Sequence, residues 1–91
     1  MNLRPATTTK TDADNGACAL RWLLARGDER ITCEITMMPD RQMEVGFFPH
    51  SNLQGAMVAR FEHPTDALER HAELVCQLRD SGWSVVNRLA A

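Results

Sequence analysis

Residues 17–37 read ACALRWLLARGDERITCEITM, and the period of this stretch decides the fold. Cys18, Leu20, Trp22 and Leu24 alternate with other residues, as do Ile31, Cys33, Ile35 and Met37. A period of two marks a strand with one buried face, and Arg26-Gly27-Asp28-Glu29 between the two runs marks a turn. A two-residue Gly27-Asp28 loop sets Leu24 opposite Ile31, Trp22 opposite Cys33, Leu20 opposite Ile35 and Cys18 opposite Met37. All four are apolar pairs on one face, while Arg21 falls opposite Glu34 on the other. A slip of one residue would destroy both agreements.

The same pattern continues downstream. Pro39-Asp40-Arg41 makes a three-residue loop, after which Met43, Val45 and Phe47 alternate with Glu44, Gly46 and Phe48. After Pro49, Ser51 and Asn52, the residues Met57, Ala59 and Phe61 alternate with Ala56, Val58 and Arg60. A loop centred on Asn52 sets Met57 opposite Phe47, Phe61 opposite Met43, and Glu44 opposite Arg60 as an outward ion pair. Then the period changes. Pro64 suits a first helical position, and Ala67, Leu68, His71, Leu74, Val75 and Leu78 form an apolar stripe at helical spacing. Gly82 is a terminator, Trp83 is expected to fold back onto the core, and Ser84-Val85-Val86 can add a short fifth strand.

The expected fold is therefore α+β: a two-layer, four-stranded antiparallel meander whose one apolar face is covered by a C-terminal helix. Residues 1–16, with Pro5, four threonines and Asp14-Asn15-Gly16, read as a flexible tail before a single domain over 17–91. The 91 residues allow one domain.

Composition narrows the function classes. The net charge is −2, and residues 1–16 are neutral, so the excess lies on the domain. A mildly acidic domain lacks the electrostatic term behind most nucleic-acid affinity. No apolar run approaches a membrane span of roughly 20 residues, and the polar N-terminus is not a secretory signal, so a cytoplasmic location is expected. Cys18, Cys33 and Cys76 have no metal-binding or disulfide spacing and read as reduced, mostly buried thiols. No phosphate-binding glycine loop, HExxH or GxSxG occurs. Neither a metal nor a cofactor is expected. His50 and His63 read as loop and helix-start residues, and the methionines as core filler, apart from an outward Met38.

Two leads remain. His71 sits within the apolar helix stripe above the strand that carries Cys33, and a Cys33–His71 pair is the form an activated thiol takes. The ordinary alternative is a buried histidine bonded to a backbone carbonyl beside an inert thiol. The stronger lead is the outer sheet face, where Leu23, Phe48 and Val58 accompany Arg21 and Arg60. Clustered, they would suit a protein partner or a second copy of the chain.

Leu20-Arg21-Trp22, the run Arg30-Ile31-Thr32-Cys33-Glu34-Ile35, the helix start Phe61-Glu62-His63-Pro64-Thr65-Asp66-Ala67 and Gly82-Trp83 together resemble small uncharacterised bacterial proteins of this size. That resemblance covers residues 17–83. It implies a β-β-β-β-α fold and a bacterial origin, but no activity. The strand order is also similar to the transcription-coactivator and Whirly-type single-stranded DNA binders, which implies nucleic-acid binding on a dimeric sheet. Against this, Glu34 and Glu44 accompany the two arginines and aromatic residues are only 5% of the chain. The reading is thus a non-catalytic interaction module, expected to be homodimeric. Single-stranded nucleic-acid binding and a Cys33/His71 enzyme stand as alternatives.

Overall fold

A computed structural model describes residues 3–5 and 17–90. The chain order is β1 (Leu3–Pro5), β2 (Ala17–Arg26), β3 (Glu29–Met37), β4 (Met43–Pro49), a 3-10 turn (Leu53–Gly55), β5 (Met57–Phe61), α1 (Pro64–Asp80) and β6 (Ser84–Ala90). The strands form one antiparallel sheet in the order β1-β5-β4-β3-β2-β6. Its centre is the expected meander β2–β5, covered by α1. The fifth strand is present as β6, seven residues long, and it pairs with β2. The segment read as an N-terminal tail lies outside the described residues except for Leu3–Pro5, which run beside β5.

Strand registers follow from the turns. Gly27 takes φ +59 while Asp28 does not turn positive, the sign pattern of a type II′ hairpin. Leu24 then meets Ile31, Trp22 meets Cys33 and Leu20 meets Ile35, with Arg21 opposite Glu34. The pairing of Cys18 with Met37 does not form. A bulge between Cys18 and Leu20 sets Ala17 opposite Met37 and Cys18 opposite Thr36. The extra residue, Ala19, packs against the core. Between β3 and β4, the Met38 N–H donates to the Gln42 carbonyl at 2.8 Å and the Arg41 N–H to the Met38 carbonyl at 2.9 Å. This is a three-residue loop with Arg41 in the left-handed region at φ 70, a position that favours glycine. In the β4–β5 hairpin, Phe47 meets Met57, Glu44 meets Arg60 and Met43 meets Phe61.

The helix begins at Pro64 and ends in a Schellman motif. The Gly82 N–H donates to the Arg79 carbonyl and the Trp83 N–H to the Leu78 carbonyl, both at 3.0 Å, with Gly82 at φ +94. That reversal drives Trp83 into the core, where it is 7% exposed. Arg26 reinforces the corner: its guanidinium lies 4.8 Å from the Trp83 ring centroid and donates to the Ser81 carbonyl at 3.1 Å. A cation at this end also complements the helix dipole.

Two clusters fill the interlayer. Leu24, Ile31, Cys33, Val75 and Trp83 form one, and Ile35, Met43, Val45 and Ala67 the other. Three inward expectations fail. Leu68 is exposed, because it lies about 100° round the helix from Ala67, on the margin of the stripe. Met37, at the end of β3, is half exposed, and Cys76 on α1 is exposed.

Arg41→Gly is expected to stabilise the fold by about 0.5–1 kcal/mol, the left-handed penalty of a side chain less the extra entropy of glycine. Urea denaturation checks this through a raised midpoint at unchanged slope.

Candidate functional site

The Cys33–His71 pair comes together, but through the backbone. His71 is 3% exposed, and its Nε2 lies 3.2 Å from the Cys33 carbonyl oxygen. A carbonyl only accepts, so Nε2 carries the proton. The imidazole also stands edge-on to Trp22, centroids 5.2 Å apart at 89°. Burial holds His71 below its ordinary pKa, outweighing the opposing effect of that hydrogen bond. Cys33 is fully buried, and burial pushes its thiol up to about 12. The arrangement therefore provides a neutral histidine pinning α1 to β3, and no thiolate at neutral pH.

On the outer sheet face, register sets Leu23, Thr32 and Phe48 in one cross-strand row, and Arg21, Glu34, Gly46 and Val58 in the next. The Arg21 Nε donates to Glu34 at 2.9 Å, and the Arg60 Nη2 donates to Glu44 at 2.7 Å. Arg60 also reaches Asp40 at 3.5 Å. Both glutamates are buried, so losing either arginine would weaken a dehydrated charge, and both cations are engaged within the sheet. His50 Nε2 and the Thr32 hydroxyl lie 2.7 Å apart at one end of this face.

The apolar members of the face are less available than their outward positions imply. Val58 is buried, Leu23 and Phe48 are half-buried, and none is among the strongly exposed large hydrophobic residues. Phe48 folds onto its own strand: a Cβ at Gly46 would clash with its ring. Gly46 thus makes the seat for Phe48, a reason for glycine in mid-strand that alternation does not reveal.

Among the described residues the exposed large apolar side chains are Met37 (49%), Leu68 (54%), Val86 (54%) and Leu89 (55%). Two of the four are on β6. This strand is bulged, since Leu24 faces Val85 but Leu23 faces Asn87, leaving Val86 without a counterpart. Arg88 crosses the Trp22 ring at 4.8 Å, holding β6 against β2. Its other edge has no partner strand among the described residues. Sequence reasoning missed Val86 and Leu89 as surface features because the bulge breaks the alternation that would mark a strand.

Among the described residues no three metal-ligating side chains cluster, every buried side-chain nitrogen and oxygen is hydrogen-bonded, and no helix is long and apolar enough to cross a membrane. Comparison of the chain with protein-family models, curated proteins and solved structures gives no match.

Two outcomes follow from these contacts. Gly46→Ala is expected to destabilise by about 1–2 kcal/mol by unseating Phe48, and to be nearly neutral in a Phe48→Ala background. A double-mutant cycle by chemical denaturation measures that coupling. For His71, the unfolded chain binds its proton near pH 6.5 and the folded protein only at lower pH. Its contribution is complete above about pH 6.5 and declines as pH falls towards the folded value, by at most about 1.4 kcal/mol per pH unit. The stability gap between wild type and His71→Gln should narrow from pH 7.5 to 5 in denaturation curves; parallel pH profiles would contradict this.

Proposed function

We propose that the protein is a non-catalytic interaction module that pairs with a second copy of itself through β6. The observation that carries this reading is a seven-residue edge strand with Val86 and Leu89 both more than half exposed. An uncovered edge presents a row of backbone donors and acceptors ready to accept another strand. Antiparallel pairing of β6 with its own copy is self-complementary about a two-fold axis, so one surface serves both partners. The opposite margin of the sheet is a poorer candidate, because β1 has only three residues.

The alternatives draw less support. A sheet face that binds single-stranded nucleic acid needs free cations and stacking rings. Arg21 and Arg60 are instead tied to buried glutamates, and Phe48 lies against Gly46. A cysteine enzyme needs an accessible thiolate, which the burial of Cys33 opposes.

Light scattering coupled to size exclusion tests the proposal. The wild type is expected to be a dimer, and Val86→Lys and Leu89→Lys to shift it to monomer without loss of helical signal. Phe48→Glu should leave the dimer intact. A wild type that stays monomeric at high protein concentration would overturn the reading, and dissociation by Phe48→Glu alone would move the interface to the outer face.

A further inference from the structure

On the helix side of the sheet, away from β6, α1 leaves an open groove over β4 and β5. Its floor is apolar, made by Val45, Phe47, Met57 and Ala59, and its helix wall carries Leu74 and Leu78. The volume is about 350 Å³, within the range of roughly 300–1,000 Å³ that small-molecule sites occupy. Three polar residues complete the lining: Arg70, Gln77 and Ser81. Among the described residues no carboxylate lines the groove, and the formal charge they bring to it is the Arg70 cation.

The charge has a direction. Arg70 precedes Gln77 by seven residues on α1, about 10 Å along the helix axis. Ser81 lies at the carboxyl end of the helix, where the backbone dipole is negative. An anion is therefore favoured at the Arg70 end and disfavoured at the Ser81 end. Between the two run Leu74 and Leu78 above the apolar floor. Arg70 is half-buried, and it forms no hydrogen bond or ion pair with a described side chain, in contrast to Arg21, Arg26 and Arg60.

We infer that this groove is a binding site for a small apolar monocarboxylate, whose carboxylate meets Arg70 and whose hydrocarbon tail lies along Leu74 and Leu78 over Phe47 and Met57. A guanidinium matches a carboxylate in a two-bond fork, which favours an acid over an alcohol of equal length. The volume suits a ligand of roughly ten non-hydrogen atoms, at about 30 Å³ for each water-sized group. The groove and β6 lie on opposite sides of the helix-covered centre, so this inference does not depend on self-pairing.

The probes are octanoate and octan-1-ol, titrated into the full chain and followed through the methyl resonances of Met57 and Leu74. Octanoate is expected to saturate these shifts with one-to-one stoichiometry and to bind at least about ten-fold more tightly than the alcohol. Arg70→Gln should abolish that preference while leaving alcohol binding and the helical signal unchanged, and Arg70→Lys should restore part of it. Absence of saturable shifts with the wild type would overturn the site. Equal binding of acid and alcohol, or an unchanged preference in Arg70→Gln, would overturn the role of the carboxylate.

Discussion

Among the described residues one helix has to cover one sheet face, and it is too narrow to do so. An α-helix with its side chains is about 10–12 Å across, whereas strands lie about 4.8 Å apart, so one helix shields two or three strands. The sheet has six. Alternation gives β2, β3, β4 and β5 a common apolar face, and α1 lies chiefly over β3 and β4. The consequences divide the molecule. Where the helix sits, residues are buried to a few percent exposure, and the His71 ring donates to the Cys33 carbonyl. Where it does not reach, Trp83 and Arg26 seal the β2 side through the helix exit, and an unfilled groove remains on the β5 side.

The outer face meets the same shortage of cover by another route. No described helix lies over it, and its inner residues bury one another. Arg21 lies over Glu34, Arg60 over Glu44, and Phe48 over Gly46. Such pairs add little net stability when a charge has to be dehydrated, but each one is costly to break singly. Their effect is on register. A slip of one residue would place Glu34 and Glu44 beneath the helix with no partner, so the polar face excludes alternatives that the apolar face alone would tolerate.

These physical facts set what the sequence discloses. Three of the four predicted apolar pairs between β2 and β3, and all the predicted β4–β5 pairs, were legible because two faces with different chemistry constrain each register at once. The bulge at Ala19 was not legible: Cys18, Ala19 and Leu20 are all compatible with burial, so no polar residue marks the extra position. The extent of β6 was hidden by its own bulge at Val86 and by the polar Asn87-Arg88. For the surface, alternation assigned Leu23, Phe48 and Val58 to the correct face but carried no information on exposure, which depends on whether a neighbour such as Gly46 leaves room for a ring to fold down. The groove had no signature at all. Its apolar residues read as ordinary core and Arg70 and Gln77 as the polar face of the helix, and only the line taken by the helix axis across the sheet decides which are brought to an uncovered place.

The placement of chemistry follows from the same constraint. His71 and Cys33, the residues most suggestive of reactivity in the sequence, stand beneath the centre of the helix, where water is excluded and the charged forms of both groups are disfavoured. A group buried there acts as a fixed dipole or an apolar filler, since any reaction would need the helix to lift from the sheet. The margins have the opposite character. Along β6 the outer backbone edge has no partner strand among the described residues, and beside β5 the Arg70 cation stands at the end of an apolar trough. Strand pairing and ion pairing both need no reactive group, only donors and charges left without partners inside the fold. Cys33 and His71 are buried and the described interior polar groups are satisfied, so the groups of this fold that stay open to a partner stand at its margins.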